Sequence, residues 1–295
     1  MPLRTTITER QRRLGAELRQ LRELSGMSLT QVGAEVGMGG PHLSHVESGR
    51  TSITTDRLRA LCRAYRCINE PFIAALVTMA ESSGKGWWTE HKKRQQQPAL
   101  NLAELEAGAR RIQSQESLFI PGLFQTEQYM RTTFENVRPK LTAKEIDDSS
   151  AFRLERQSVL TGEDPPVMHA VIHEAALHMH IGSPEIMRAQ LLHLIELARL
   201  PNVVIQVFPY EAGVYAALSG TFTLITPTAR ELSTVLLDHP VRSLYMGDEP
   251  HITQYSDMFG KLAELALPPI NPAAVPETHS GKSSLGLIQH ILYTL

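Results

Sequence analysis

The sequence predicts two domains: an all-α N-terminal domain of five helices with a helix-turn-helix, followed by an α+β C-terminal domain with a mainly antiparallel sheet. The chain has 295 residues, more than the usual single-domain length of about 100 to 200. Helical patterns fill the first 80 residues, whereas helical patterns alternate with β-branched runs beyond Ala99. Residues 1–95 carry 15 basic and 9 acidic residues, a formal charge of +6, while the remainder carries 14 and 22, or −8.

The composition excludes several classes of protein. Apolar residues at 42% and charged residues at 20% are those of a globular chain, and two cysteines are too few for a disulfide scaffold. The longest apolar stretch is about half of the roughly 20 residues that a bilayer requires, and the N-terminus lacks the apolar core of a signal peptide. These features predict a cytoplasmic protein that does not enter a membrane.

Caps and glycines define the five predicted N-terminal helices. The first begins after Thr8, which forms a possible capping box with Gln11, and stops near Gly26. The others are predicted over Ser28 to Val36, Gly39 to Ser48, from Thr54 or Thr55, and Glu70 to Ala80. We therefore assign residues 1–82 to this domain, 83–98 to a polar connector and 99–295 to the second domain.

The second domain is predicted to mix helices and short strands. Helices are expected at 101–117, 124–136, 142–161, 184–200 and 249–266, and strands at 167–173, 202–208, 220–225 and 234–237. A last apolar helix, Ser284 to Leu295, is expected to return to the core; the alternative is an exposed tail that binds a partner.

The strongest functional pattern runs from Gly26 to Arg50. A helix-turn-helix needs a small residue where its helices cross and a tight turn between them, roles that we assign to Gly33 and Gly37. Its second helix also needs a buried apolar side, which Leu43 and Val46 supply. The alternative is a generic helical hairpin without a DNA-binding role.

This stretch resembles the helix-turn-helix of the XRE family, the phage-repressor-like regulators, whose second motif helix ends in an S-x-I-E-x-G-x pattern. Ser44 to Arg50 match that pattern closely. The resemblance implies a five-helix domain that binds double-stranded DNA at a palindromic operator as a homodimer. The short third helix is narrow enough to enter a major groove about 12 Å wide.

The resemblance also assigns roles to individual residues. The family positions that face base edges correspond to Gly40, Pro41 and His45, with Gly39 and His42 near the DNA backbone. Because two glycines and a proline offer few side-chain contacts, we expect His45, His42 and Ser44 to read the bases. Phosphates are expected at Ser28, Thr30, Arg50 and Thr51. The simpler interpretation of the two histidines is that they are solvated surface residues.

The second half resembles the C-terminal domain of the WhiJ-like XRE regulators of actinobacteria. The matching motifs are Leu105-Glu106, Pro121 to Tyr129, Arg153 to Leu160 and Pro201 to Pro209. The resemblance implies a half that senses a small-molecule effector or a small partner protein, without enzymatic activity. For the motif residues themselves we favour structural roles: a turn at Pro121, caps and packing around Gln125 and Tyr129, and a solvated or ion-paired helix face at Arg153 and Arg156.

No catalytic residue, cofactor site or metal site is predicted. His173, Glu174 and His178 form HExxxH, one residue longer than the zinc pattern HExxH, so the histidines leave a common helix face. A histidine cluster that includes His169 or His180 remains an alternative. Cys62 and Cys67 are interpreted as separate core thiols.

The sequence thus predicts a sequence-specific DNA-binding transcriptional regulator whose C-terminal domain senses a ligand or a partner protein. The alternative is an antitoxin-like DNA-binding protein that mainly binds a small cognate partner. An enzyme with an appended DNA-binding domain is a third and weaker hypothesis, because no set of acid, base and nucleophile is recognisable.

Overall fold

The computed structural model describes residues 3–137, 141–239, 243–273 and 282–295. They form two compact units. The first comprises residues 3–92, Gln96–Leu105 and Thr228–Leu232, and the second comprises Lys93–Gln95 and the described residues of 106–227 and 233–295. A helical unit followed by a unit with helices and a sheet confirms the predicted fold class.

Five helices build the first unit: α1 (Glu9–Leu24), α2 (Leu29–Val36), α3 (Gly40–Glu47), α4 (Thr55–Ala64) and α5 (Glu70–Glu81). The capping box of Thr8 and Gln11 is present at the start of α1, and Ser28 with Gln31 forms a second one before α2. Gly37 ends α2 in the left-handed conformation, at φ 65°. The predicted helices and their stop residues are therefore confirmed to within one or two residues.

The core of this unit draws on residues far away in sequence. Its buried centre is formed by leucines and valines of all five helices, and Ala229 and Leu232 belong to the same apolar cluster. Glu231 lies between those two residues. Its main-chain oxygen accepts from Arg13 Nη2 at 2.7 Å, and its Oε1 accepts from Asn69 Nδ2 at 2.8 Å. The segment Thr228–Leu232, which our boundaries gave to the second domain, is thus built into the helical unit.

The connector is more structured than its polar composition indicates. Trp87–His91 forms a short 3-10 helix in which the Trp87 ring makes edge contacts with Trp88 at 6.1 Å and His91 at 5.9 Å between centroids. Both tryptophans are half-buried and His91 is buried.

The second unit is organised around one six-stranded sheet. Its strands are β1 (Arg111–Glu116), β2 (Val167–His173), β3 (Val203–Phe208), β4 (Phe222–Thr226), β5 (Thr234–Leu237) and β6 (Leu244–Met246). Helix α6 (Gln97–Ala107) follows the connector, and its residues up to Leu105 belong to the first unit. The helices of the second unit are α7 (Glu127–Val137), α8 (Ala143–Gln157), α9 (Glu174–His178), α10 (Pro184–Leu197), α11 (Tyr215–Ser219), α12 (Glu249–Leu265) and α13 (Ser284–Thr294).

The sheet is mixed, with strand order β3-β2-β1-β4-β5-β6. The pairs β1–β2 and β2–β3 are parallel, whereas β1–β4, β4–β5 and β5–β6 are antiparallel. Three of the five neighbouring pairs are therefore antiparallel, in agreement with the predicted predominance.

Strand β1 differs from the predicted secondary structure. A helix was predicted over 101–117, but the helix ends at Ala107 and Arg111–Glu116 is a strand in the middle of the sheet. Ile112 is the only strongly apolar residue of this strand, and Ser114 and Gln115 are buried beside it. Because every residue of β1 except Ile112 is polar or charged, the segment lacks the alternation of apolar and polar residues that predicts a strand.

The C-terminal helix packs into the second unit. Leu285, Ile288, Ile291 and Leu292 of α13 are buried, and the Ser284 hydroxyl accepts a hydrogen bond from the Val207 amide of β3 at 2.9 Å. This confirms a return to the core rather than an exposed tail. None of the described helices is both long and apolar enough to cross a bilayer.

Candidate nucleic-acid interface

Helix α3 has two clearly different faces. Leu43, Val46 and Glu47 are buried, whereas Pro41 and Ser44 are exposed. At 3.6 residues per turn, Pro41, Ser44, His45 and Ser48 project from the side opposite the buried three. His45 is half-buried on this face, and His42 is half-buried on its flank. The predicted base-reading residues therefore lie on or beside one outward face, and Ser48 is an exposed neighbour that the sequence analysis missed.

The buried face of α3 is held against α1 by close main-chain contact. A Cβ on Gly15 would lie 2.4 Å from the Glu47 carbonyl oxygen and 2.8 Å from that of Val46. Only glycine allows this approach, so Gly15 is the small residue at the crossing of α1 with α3. The sequence pattern had indicated only the crossing within the motif, at Gly33.

A buried ion pair fixes the same crossing. Arg22 Nε and Nη2 of α1 donate to the two Glu47 carboxylate oxygens at 2.7 and 3.0 Å, and both side chains are largely shielded from water. Hydrogen bonding to Glu47 raises the pKa of Arg22. Such a two-point pair restrains rotation as well as separation, and α3 is thereby held in one orientation.

The turn between α2 and α3 needs its glycines for different reasons. At Gly33 a Cβ would lie 2.3 Å from the Met38 carbonyl oxygen, and at Gly37 the backbone is left-handed. Gly39 and Gly40 differ, because a Cβ at either would meet no atom within 4 Å and neither has a positive φ. The fold itself therefore does not require glycine at the N-terminus of α3, where Gly39 is exposed and Gly40 is half-buried.

The predicted phosphate contacts are not equally exposed. Ser28 and Thr30 lie on the surface at the start of α2, and the Ser28 hydroxyl accepts from the Gln31 amide at 3.3 Å, which leaves its proton free to donate. Arg50 is exposed after the turn that follows α3. Thr51, in contrast, is only 6% exposed. Burial does not fit a phosphate contact by the Thr51 side chain.

Free positive charge lies at α3 and α4 rather than on α1. All five arginines of α1 are ion-paired: Arg10, Arg12, Arg13, Arg19 and Arg22. Arg50 and Arg57 are exposed and form no ion pair with any described residue. The positive charge of the first helix is thus largely neutralised, and Arg57 is an additional unpaired cation beyond Arg50.

In the second unit the predicted motif residues form polar contacts with one another. Arg156 Nε lies 3.0 Å from Glu106 Oε2, and Arg153 Nη1 donates to Gln125 Oε1 at 2.6 Å. Burial raises the pKa of Glu106 to about 7, against the opposing effect of Arg156. Arg156 is 8% exposed, so of the two predicted alternatives for this helix face the ion-paired one is confirmed at Arg156.

Hydrogen bonds of three side chains anchor the turn at Pro121. Gln125 Nε2 donates to the Ile120 carbonyl at 2.7 Å, and the Ile120 amide donates to Tyr129 Oη at 3.2 Å. Gln190 bonds the Thr126 amide and the Phe124 carbonyl, each at 2.7 Å. These contacts confirm that Gln125 and Tyr129 have structural roles.

The histidines of β2 and α9 are engaged separately. His169 Nε2 lies 2.7 Å from Gln206 Oε1, and His173 Nδ1 accepts from the Ala175 amide at 3.0 Å. His178 is 3.5 Å from Glu174. Within the described ranges, no group of three or more His, Cys, Asp or Glu residues is arranged to hold a metal ion.

Comparison with known proteins agrees with the two units. The profile of a family described as "Helix-turn-helix domain" matches residues 13–71, which include all of α2, α3 and α4. A second profile, "Domain of unknown function (DUF5753)", matches residues 100–275. No curated protein and no solved structure matches the chain. The DUF5753 profile covers more than half of the 295 residues, and the chain therefore belongs to the DUF5753 family, with an N-terminal helix-turn-helix domain.

Proposed function

We propose that the protein is a sequence-specific DNA-binding transcriptional regulator of the XRE type, with α3 as the recognition helix. The observation that carries this proposal is the outward face of α3, where Pro41, Ser44 and His45 are accessible on a helix fixed from behind by Gly15 and the Arg22–Glu47 pair. A rigid, protruding helix is what major-groove recognition requires.

Recognition is divided between side chains and main chain. His45, His42 and Ser44 contact base edges, while Arg50, Thr30 and the Ser28 hydroxyl contact phosphates. Arg57 adds a further cation for the phosphate backbone. At Gly39 and Gly40 the absence of a side chain lets the main-chain amides approach a phosphate closely, which accounts for two glycines that the fold itself does not need.

The rest of the chain serves regulation. The protein binds a palindromic operator as a homodimer, in keeping with the two-fold symmetry of such sites. The DUF5753 unit, which resembles that of WhiJ-like regulators, responds to a small-molecule effector or a partner protein and carries out no catalysis. The distribution of charge supports this division, because residues 96–295, most of which belong to this unit, carry −8 and would be repelled by DNA phosphates.

A selection experiment tests the proposal. Full-length protein is incubated with a library of random DNA duplexes, and the bound fraction is amplified and sequenced over several rounds. We expect an enriched palindrome, and a Kd for it that rises steeply between 50 and 200 mM salt because phosphate contacts release counterions. Failure to enrich any sequence would contradict the proposal. Arg50→Ala should weaken binding, whereas Arg19→Ala, which removes an arginine already paired with Glu23, should change it little.

The regulatory role has its own test. Native mass spectrometry of the protein purified from its host should reveal either a bound metabolite or a stoichiometric small protein. The first result supports an effector-sensing unit and the second a partner-binding unit. A ligand-free chain whose operator affinity is insensitive to host extract would contradict both.

A further inference from the structure

The two cysteines lie at opposite ends of the turn that terminates α4. The Cys67 amide donates to the Cys62 carbonyl at 2.9 Å, and the Arg66 amide donates to the Arg63 carbonyl at 2.9 Å. Arg66 is left-handed, with φ 58°. These two bonds and this conformation define a Schellman motif, in which Cys62 and Cys67 occupy the positions whose side chains normally contact each other.

The main-chain bond also limits how far apart the two residues can be. Standard bond lengths on either side of the 2.9 Å contact keep their Cα atoms within at most about 6.8 Å of each other. Disulfides join residues whose Cα atoms are about 4.4 to 6.8 Å apart. The Cα separation therefore does not exceed the range that disulfides span.

The side chains share one apolar environment. Cys62 is fully buried in the core of the helical unit, and Cys67 is half-buried and packs against the same cluster. Burial raises the pKa of Cys62 to about 11, and the neighbouring Cys67 contributes to that shift. Both cysteines are free thiols in this structure.

We propose that Cys62 and Cys67 are a redox pair that a hydroperoxide converts into an intrachain disulfide. Cys67 reacts first because it is the more exposed: its thiolate attacks the peroxide, the O–O bond breaks, and water or an alcohol leaves as Cys67 becomes a sulfenic acid. Cys62 then attacks Cys67 Sγ, the S–O bond breaks, and the Cys62 proton leaves with the hydroxyl group as water. Two thiols lose two electrons in total, and the peroxide gains them.

Peptide mass spectrometry of the full chain tests this proposal. The protein is treated with hydrogen peroxide, its remaining thiols are alkylated in denaturant, and it is digested with trypsin. Trypsin cuts after Arg63 and Arg66, so only a disulfide keeps the two cysteine peptides together. We expect loss of both thiols, a linked peptide about 2 Da lighter than the sum of its parts, and release of that link by dithiothreitol.

Single variants separate a pair from two independent cysteines. In Cys62→Ala, Cys67 should proceed to the sulfinic acid, about 32 Da heavier, because its resolving thiol is absent. In Cys67→Ser, Cys62 should stay reduced because it is buried. Wild-type protein that gains the sulfinic acid at Cys67 while Cys62 remains alkylatable would overturn the proposal. Retention of both thiols after peroxide and after oxidised glutathione would also overturn it.

Discussion

Replacement of Gly15 by alanine tests how tightly the recognition helix is held. The new Cβ would lie 2.4 Å from the Glu47 carbonyl oxygen, and α3 would have to move by at least about 0.6 Å to restore even a 3.0 Å contact. Overpacking of this kind costs about 1–3 kcal/mol, and the upper end applies because the obstructing atoms are main chain. Alanine gains about 1 kcal/mol of helix propensity over glycine. We expect a net loss of about 2 kcal/mol.

The measurement is urea denaturation of the full chain followed by tryptophan fluorescence. Both tryptophans, Trp87 and Trp88, lie in the first unit, so their fluorescence follows its unfolding. Gly40→Ala is the matched control, because its Cβ meets no atom within 4 Å and should leave stability unchanged or raise it by up to about 1 kcal/mol. Gly15→Ala protein as stable as wild type would refute the close crossing of α1 and α3.

Three further predictions concern other parts of the chain. Arg66→Gly should stabilise the helical unit by about 1 kcal/mol in the same fluorescence assay, because glycine adopts the left-handed conformation without steric cost; a loss of stability would contradict this. Leu232→Ala should destabilise that unit by about 2–5 kcal/mol and speed amide exchange in α1 and α5, because Leu232 is part of its core. Replacement of the exposed Leu218 by alanine should have little effect. Equal effects of the two variants would show that the segment Thr228–Leu232 is not part of the helical unit. Burial raises the pKa of Glu116 to about 8, and Asp238 adds to the shift. The proton on Glu116 therefore stabilises the folded state fully below the pKa of about 4.3 that the group has in the unfolded chain. This stabilisation is lost as the pH rises through 8. Glu116 is half-buried, so water screens part of this effect. Glu116→Gln should therefore gain stability over wild type as the pH rises from 5 to 9, by on the order of 2 kcal/mol in denaturation followed by circular dichroism, and a pH-independent difference would be inconsistent with a raised pKa at Glu116.

The helical unit could be predicted closely because its boundaries are local. Thr8 and Ser28 cap their helices through residues three positions away, and Gly37 stops α2 through its own backbone conformation. The same locality explains the success with β2, whose predicted range 167–173 is the observed one. Such elements are encoded in a few adjacent residues.

The failures involve contacts between distant residues. Nothing in the sequence around Gly15 indicates that it packs against Glu47. Arg13 and Glu231 are joined by a hydrogen bond but lie 218 residues apart in the sequence. Strand β1 was predicted as a helix because its own residues are mostly polar. Its place inside the sheet comes from its pairing with β2 on one edge and β4 on the other. Thr51 is buried by tertiary packing, which an exposed-loop pattern does not reveal.

The central claim is that the outward face of α3 reads DNA sequence. Its most direct test is the ratio of Kd for a scrambled duplex to Kd for the selected duplex, measured by fluorescence anisotropy for wild type, His45→Ala and Arg50→Ala. A base-edge contact is worth about 1–3 kcal/mol of discrimination, so His45→Ala should lower the ratio about 5- to 150-fold. Arg50→Ala should weaken both duplexes alike and preserve the ratio. An unchanged ratio in His45→Ala, with wild-type stability, would contradict the assignment of His45 to base readout.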